Sequence, residues 1–172
     1  MEITALAAHS LKLKGKHAAL FVNPLDKTSS YNAAIILGNS PKSSLKIRDD
    51  VVTISGPGEY EAAGITMTGT RADTDTIYSI TLDDIEILLG TRSGLEKLHQ
   101  RLQEHAILIV DADSTGDISF VSSLGMNSIL FFGEHGAELA DSLSHENKKE
   151  MTKYAVTRDK LPAETETILL VA

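Results

Sequence analysis

The chain has no cysteine and no tryptophan, and only 5% of its 172 residues are aromatic. Without cysteine there is no disulfide, no thiolate nucleophile and no Cys-ligated zinc or iron–sulfur site. Basic charge is scarce as well: 16 Lys and Arg stand against 24 Asp and Glu, a formal net charge of −8. That balance excludes a dedicated binder of bare nucleic acid, which needs a basic face to displace counterions. It argues equally against docking on an anionic membrane. No apolar run approaches the roughly 18 residues of a membrane span, and Met1-Glu2-Ile3-Thr4 lacks the build of a signal peptide. What is present is ordinary for a globular chain: 42% hydrophobic and 23% charged residues, enough for a sizeable core. A cytoplasmic chain folded as one domain over residues 1–172 is the expectation.

Periodicity divides the chain into two halves. In the first, Leu11 and Leu13 alternate with Lys12 and Lys14, and short apolar bursts at Ala18 to Val22 and Ala33 to Leu37 read as buried strands. Val51 to Ile54 runs into Ser55-Gly56-Pro57-Gly58, where two glycines around a proline imply a tight turn. Tyr60 to Ala62, Ile65 to Thr68, Thr76 to Thr81 and Ile85 to Leu89 then form an antiparallel meander, with Asp83-Asp84 closing its last hairpin. At Gly90 the period changes. Leu95, Leu98 and Leu102 make one stripe of a helix of about three turns starting near Ser93. Strands at Ala106 to Val110 and Ile129 to Phe132 alternate with short helices around Ile118 to Leu124 and Ala137 to Leu143, and strands at Thr152 to Thr157 and Thr167 to Val171 end the chain. The fold class is therefore α/β, with two sheets or one mixed sheet covered by helices.

The sharpest local motif is Asp111-Ala112-Asp113-Ser114-Thr115 at the end of a buried strand. It matches the first motif of haloacid-dehalogenase-type phosphotransferases. However, only 57 residues follow Thr115, too few for the rest of such a core. The same acidic run mimics part of a calcium loop, but Ser122 stands where the bidentate Glu is required. The remaining reading is an acidic loop that caps the helix after Gly116. Of the six histidines none forms an HxH or HExxH pair. His99 and His105 fall off the apolar stripe of their helix and are expected in solvent, while His9 and His135 are placed to face a site.

Several segments resemble one family in order and with plausible spacing. They are the opening from Met1-Glu2-Ile3-Thr4 through Leu13-Lys14-Gly15-Lys16 to Ala19-Leu20-Phe21-Val22-Asn23-Pro24-Leu25-Asp26, the turn Gly56-Pro57-Gly58-Glu59-Tyr60, the strand Ile85 to Gly90, and Leu161 to Thr165. Together they resemble metallo-β-lactamase-fold proteins, in particular the group that includes ascorbate-6-phosphate lactonase-like hydrolases. The resemblance implies a four-layered αββα sandwich, here shortened. It also implies a two-metal centre held by an HxHxDH loop, later histidines and a bridging Asp. In this sequence the loop positions fall on Ser40, Lys42, Ser44 and Leu45, the bridging Asp on Thr91, the last His on Glu134 with His135 beside it, and the Asp of Asp-Pro on Asn23. His9 is displaced by one from the first-strand histidine.

Losing this many ligands leaves no metal site, so no cofactor is expected. The sequence points to a catalytically degenerate chain that serves as a binding or assembly module, with a homo-oligomer as its expected partner state. Lys42, Lys46 and Arg48 are candidates for holding a small anion. The alternative is a hydrolase of a small (phospho)ester or lactone with a non-standard site, in which His9, Glu59, Glu134 and His135 converge for metal-free acid/base chemistry. A bracing role in its turn is the plainer reading of Glu59.

Overall fold

A computed structural model describes residues 1–27, 30–38, 45–144 and 147–172. In chain order the strands of the first half are β1 (Glu2–Ala7), β2 (Ser10–Lys14), β3 (Ala19–Val22), β4 (Ala33–Ile35), β5 (Val52–Ile54), β6 (Gly58–Ala62), β7 (Ile65–Ala72), β8 (Asp75–Leu82) and β9 (Ile85–Thr91). The second half contributes α1 (Arg92–Leu98), β10 (Ile107–Asp111), β11 (Ser128–Phe132), α2 (Gly136–Leu143), β12 (Lys149–Met151), β13 (Lys153–Ala155) and β14 (Glu166–Leu170). They form a six-stranded sheet in the order β13-β1-β2-β3-β4-β5 and an eight-stranded sheet in the order β12-β14-β11-β10-β9-β8-β7-β6. The meander β6 to β9 is antiparallel throughout, and β9, β10, β11 and β14 run parallel.

The two-residue period of the strands assigns each side chain to one of two cores. On β10, Ile107 and Ile109 face the six-stranded sheet, where they meet Leu11, Leu13 and Val22. Leu108 and Val110 point the other way, to Leu95, Val121 and Leu139 from the helical layer. Leu130 and Phe132 of β11 face inward with the first set, and Ile129 and Phe131 outward with the second. The strands are thus buried on both faces, which is why they read as continuous apolar runs. Over the other sheet, Phe21 and Ala34 are covered by Tyr31, with Ile47 and Val51 packed alongside. Among the described residues that outer layer is loop.

Turn chemistry is where the local sequence is most literal. Asp83 and Asp84 both adopt positive φ, at 54° and 62°, as a two-residue hairpin requires. Gly56 and Gly58, at φ 124° and 146°, let the chain fold over β7, where Gly56 N–H donates to the Tyr78 hydroxyl at 2.9 Å and Tyr60 donates back to Gly56 O at 3.1 Å. The bonds that close this turn therefore come from Tyr60 and Tyr78, and Glu59 lies exposed on β6.

Two elements differ from the sequence expectation. The helix after β9 stops at Leu98 and tightens into a 3-10 turn over His99–Arg101, because His99 Nδ1 bonds the Glu96 carbonyl at 2.6 Å and competes for the last turn's acceptors. The strand expected over Thr152 to Thr157 is present as β13, but β12 just before it has no counterpart in the sequence reading. β12 pairs with β14 in one sheet and β13 with β1 in the other, and the chain changes sheets at Thr152. No helix among the described residues is long and apolar enough to cross a membrane.

Candidate functional site

At the carboxyl ends of β9 and β10 the inward-facing rows run out of hydrophobic residues together. The row Ile85, Ile87, Leu89 ends on Thr91, and the row Ile107, Ile109 ends on Asp111; Thr91 and Asp111 are register partners across the parallel pair. On the opposing sheet the row Leu13, Leu11 leads by the same parity to His9, in the turn between β1 and β2. A cavity of about 530 Å³ opens there, lined by His9, Leu37, Asp75, Ser93, Asp111 and Asp113 among others. Crevices at the carboxyl ends of parallel strands are the usual ligand position in α/β sheets.

The cavity is built on two fixed backbones. Asn23, 2% exposed, sits at φ 48° just after β3. Its Nδ2 donates to His9 O at 3.1 Å and to Leu37 O at 3.3 Å, while its Oδ1 accepts from Leu37 N–H at 2.9 Å. One buried amide therefore ties the β1–β2 turn to the chain after β4, which an acceptor-only carboxylate could not do. Across the cavity, Gly133 at φ 98° lets the chain leave β11 close against Asp111; a Cβ there would lie 2.8 Å from Asp111 Oδ1.

Its polar side chains are already paired with one another. His9 Nδ1 and Asp111 Oδ1 are 2.6 Å apart, the carboxylate side chain 4% exposed and the imidazole 34%. Burial pushes the Asp111 carboxyl up to about 6; His9 opposes the rise, and Asp113 and Asp75 add to it. Asp75 accepts from the Thr91 hydroxyl at 2.9 Å, and Ser93 Oγ lies 3.1 Å from the same carboxylate. Ser93 Oγ also lies 2.8 Å from Asp113 Oδ2, and Thr91 Oγ1 accepts from Gly94 N–H to cap α1. Nearby, Arg92 is 8% exposed and is held by Ser114, by the Asp117 carbonyl and by Glu96. Asp117 accepts from the backbone N–H of Ser119 at 2.8 Å, which holds its carboxyl below the ordinary range. The acidic loop thus caps the helical segment after Gly116, and its Asp113 reaches α1 as well.

Of the four candidates from the sequence, His9 alone is in the lining of this cavity. Glu134 is exposed, and His135 is half-buried on the far side of Gly133 with its Nδ1 3.7 Å from Glu138 Oε2. Glu59 belongs to the edge strand β6. The structure does not bring the four together. Arg48 pairs with Asp50 and stacks over Tyr31, Lys46 is exposed, and Lys42 lies outside the described residues, as do Ser40 and Ser44. Asp111, the partner His9 does have, was legible only as part of an acidic motif. His105, expected in solvent, is half-buried against Ser79.

Compared with solved structures, the fold matches that of metallo-β-lactamase superfamily hydrolases. A proposed Zn-dependent hydrolase of that superfamily from Thermotoga maritima superposes with a TM-score of 0.70 at 13% identity, covering 99% of this chain and 98% of the other. A proposed metal-dependent hydrolase from Parabacteroides distasonis gives 0.57 at 14% identity, over 83% and 87% of the two chains. The CmlA β-hydroxylase gives 0.59 at 8% identity, over 99% of this chain and 52% of the enzyme. At these identities the likeness is one of fold. No family model matches the sequence, and no curated protein matches it.

The fold raises the question of a metal pair, and the donor set does not fit one. Among the described residues no three His, Asp or Glu side chains gather as a metal site. The cavity lining includes one imidazole, and it is bonded to Asp111. Asp75 and Asp113 are held by hydroxyls of the chain. Residues 39–44, Asn-Ser-Pro-Lys-Ser-Ser, contain no His, Asp or Glu at all.

Proposed function

We infer that this chain keeps the metallo-β-lactamase fold while its metal-dependent catalysis has been lost, and that it works as a binding or assembly module. One observation carries the reading: in the crevice where the fold places its chemistry, the carboxylates are satisfied by His9, Thr91 and Ser93 rather than being open to a cation. A two-metal centre needs several unpaired anionic or imidazole donors converging on one point, and pairing them with hydroxyls removes that convergence. The crevice is left as a polar recess able to take a small molecule. For assembly, β5 and β13 end one sheet and β6 and β12 the other, and strand edges of this kind pair readily with a second copy.

Metal analysis by mass spectrometry on protein purified without added metal tests the first half. Zinc and manganese far below one atom per chain are expected, with no rise in melting temperature on adding either ion. One or two atoms per chain, retained through dialysis, overturns the reading. Native mass spectrometry tests the second half, with a mass above that of one chain expected. A second reading, metal-free acid/base chemistry in the crevice, rests on the His9–Asp111 pair: a buried carboxylate on Nδ1 leaves Nε2 as the nitrogen available to a substrate.

A further inference from the structure

On the opposite face of the eight-stranded sheet, a second cavity of about 340 Å³ lies between β7 to β9 and the chain after α1. Tyr78 and Ile80 point into the inner core, so Ser79 between them points outward, flanked across the ladder by Thr68 and Leu88. His105 reaches it from the loop that enters β10. The Ser79 hydroxyl and His105 Nε2 are 2.7 Å apart, and His105 Nδ1 is 2.9 Å from Gln103 O. A carbonyl oxygen only accepts, so Nδ1 carries the hydrogen. In the neutral ring Nε2 is then the lone pair, and the Ser79 hydroxyl donates to it. The loop is anchored beside His105, where Ala106 N–H donates to Glu86 O at 3.0 Å and Ala106 O accepts from Asn127 N–H at 3.0 Å.

A hydroxyl donating to an imidazole whose other nitrogen is fixed by an acceptor is the arrangement that turns serine into a nucleophile. We propose that Ser79 and His105 form a metal-independent nucleophilic dyad on the outer face of the sheet, acting on small esters that carry an anionic group. Ile77, Leu88, Leu98 and Leu102 give the cavity an apolar wall for a short acyl chain, and Arg101 lines it as the partner of the anion. Ser79 Oγ bonds to the ester carbonyl carbon as its proton passes to His105 Nε2. The Thr68 hydroxyl is a donor for the oxygen that gains charge. Collapse breaks the bond to the alcohol, which departs with the proton held by His105. Water, losing a proton to the same Nε2, then cleaves the acyl-serine, releasing the carboxylic acid and restoring Ser79. This site shares no residue with the crevice, so it stands or falls independently of the metal-free reading.

The test is labelling with a fluorophosphonate ester, read by intact mass and peptide mapping. One phosphonyl group per chain on the Ser79 peptide is expected, with none in Ser79→Ala and full labelling in His17→Gln, an exposed histidine away from this cavity. In His105→Gln the rate should fall about 100-fold or more, the usual worth of a positioned base. Because the chain has no cysteine, Ser79→Cys places its only thiol at the site. Its alkylation by iodoacetamide at neutral pH should be roughly tenfold faster with His105 than in Ser79→Cys/His105→Gln, through the greater thiolate fraction. No adduct at Ser79, or a labelling or alkylation rate indifferent to His105, overturns the proposal.

Discussion

Two histidines approach the eight-stranded sheet from opposite sides, and their partners differ. In the inner crevice His9 presents Nδ1 to the buried carboxylate of Asp111, and no described hydroxyl bonds its other nitrogen. On the outer face His105 presents Nδ1 to a peptide carbonyl and Nε2 to the Ser79 hydroxyl. The crevice has the orienting group without a nucleophile; the outer face has a nucleophile with a weaker orienting group. A carboxylate can hold a charged ring and contribute an ion pair between the sheets, whereas a carbonyl fixes only orientation and tautomer. His9 is thus tied to a buried carboxylate, and His105 to a peptide carbonyl and a hydroxyl.

The comparison is broken most severely at Asn23. In Asn23→Asp, carboxylate oxygens replace the two N–H donors facing His9 O and Leu37 O at a buried position, and the turn carrying His9 loses its anchor. A loss of about 4 kcal/mol in unfolding free energy is expected, read by urea denaturation, since an uncompensated buried charge costs about 3–5 kcal/mol.

Asp111→Asn is next, and pH is the axis on which it shows. The Asp111 carboxyl is raised in the folded protein from 3.8 to about 6, so between those values the native state holds a proton that the unfolded chain has released. Stability must therefore fall as pH rises from about 4 to about 6 and level off above. Two units at 1.36 kcal/mol each make that contribution about 3 kcal/mol. Asp111→Asn should flatten this part of the profile, seen as a wild-type minus variant difference that shrinks from pH 4 to pH 7. A difference independent of pH would mean that Asp111 titrates normally.

The smallest effect belongs to the outer face. Ser79→Ala removes one hydrogen bond at a half-buried position and should cost under about 1 kcal/mol, with an unchanged denaturant slope. A larger loss would show the Ser79–His105 contact to be a structural clamp.

Much of the fold is legible in the sequence. The antiparallel meander, the Asp83-Asp84 hairpin and the change of period at Gly90 each follow from local rules, and the two-sided burial of β10 and β11 explains their unbroken apolar runs. The candidate site was legible only in part. His9 is legible as a residue facing a site, but its partner is hidden inside Asp-x-Asp-x-Thr, a motif that resembles two unrelated chemistries and a plain helix cap. Glu134 and His135 follow from the resemblance, which puts the family's last histidine just after the strand ending at Phe132; the positive φ of Gly133 turns the chain there, and neither residue lines the crevice. The helix after Gly90 was read too long because Leu102 continues its apolar stripe; the 3-10 turn at His99 still buries part of Leu102 from a different geometry.

The sequence by itself determined which residues face a core, where the chain turns and the absence of thiol chemistry. These depend on residue type and on spacings of two to seven, which one strand or helix sets alone. Only the tertiary structure decided that His9 meets Asp111, 102 residues away, that Ser79 meets His105, 26 residues away, and that the chain leaves one sheet for the other at Thr152. Those pairings depend on strand register and on how two sheets are laid face to face. A one-residue slip in either would leave every local pattern intact and exchange every partner.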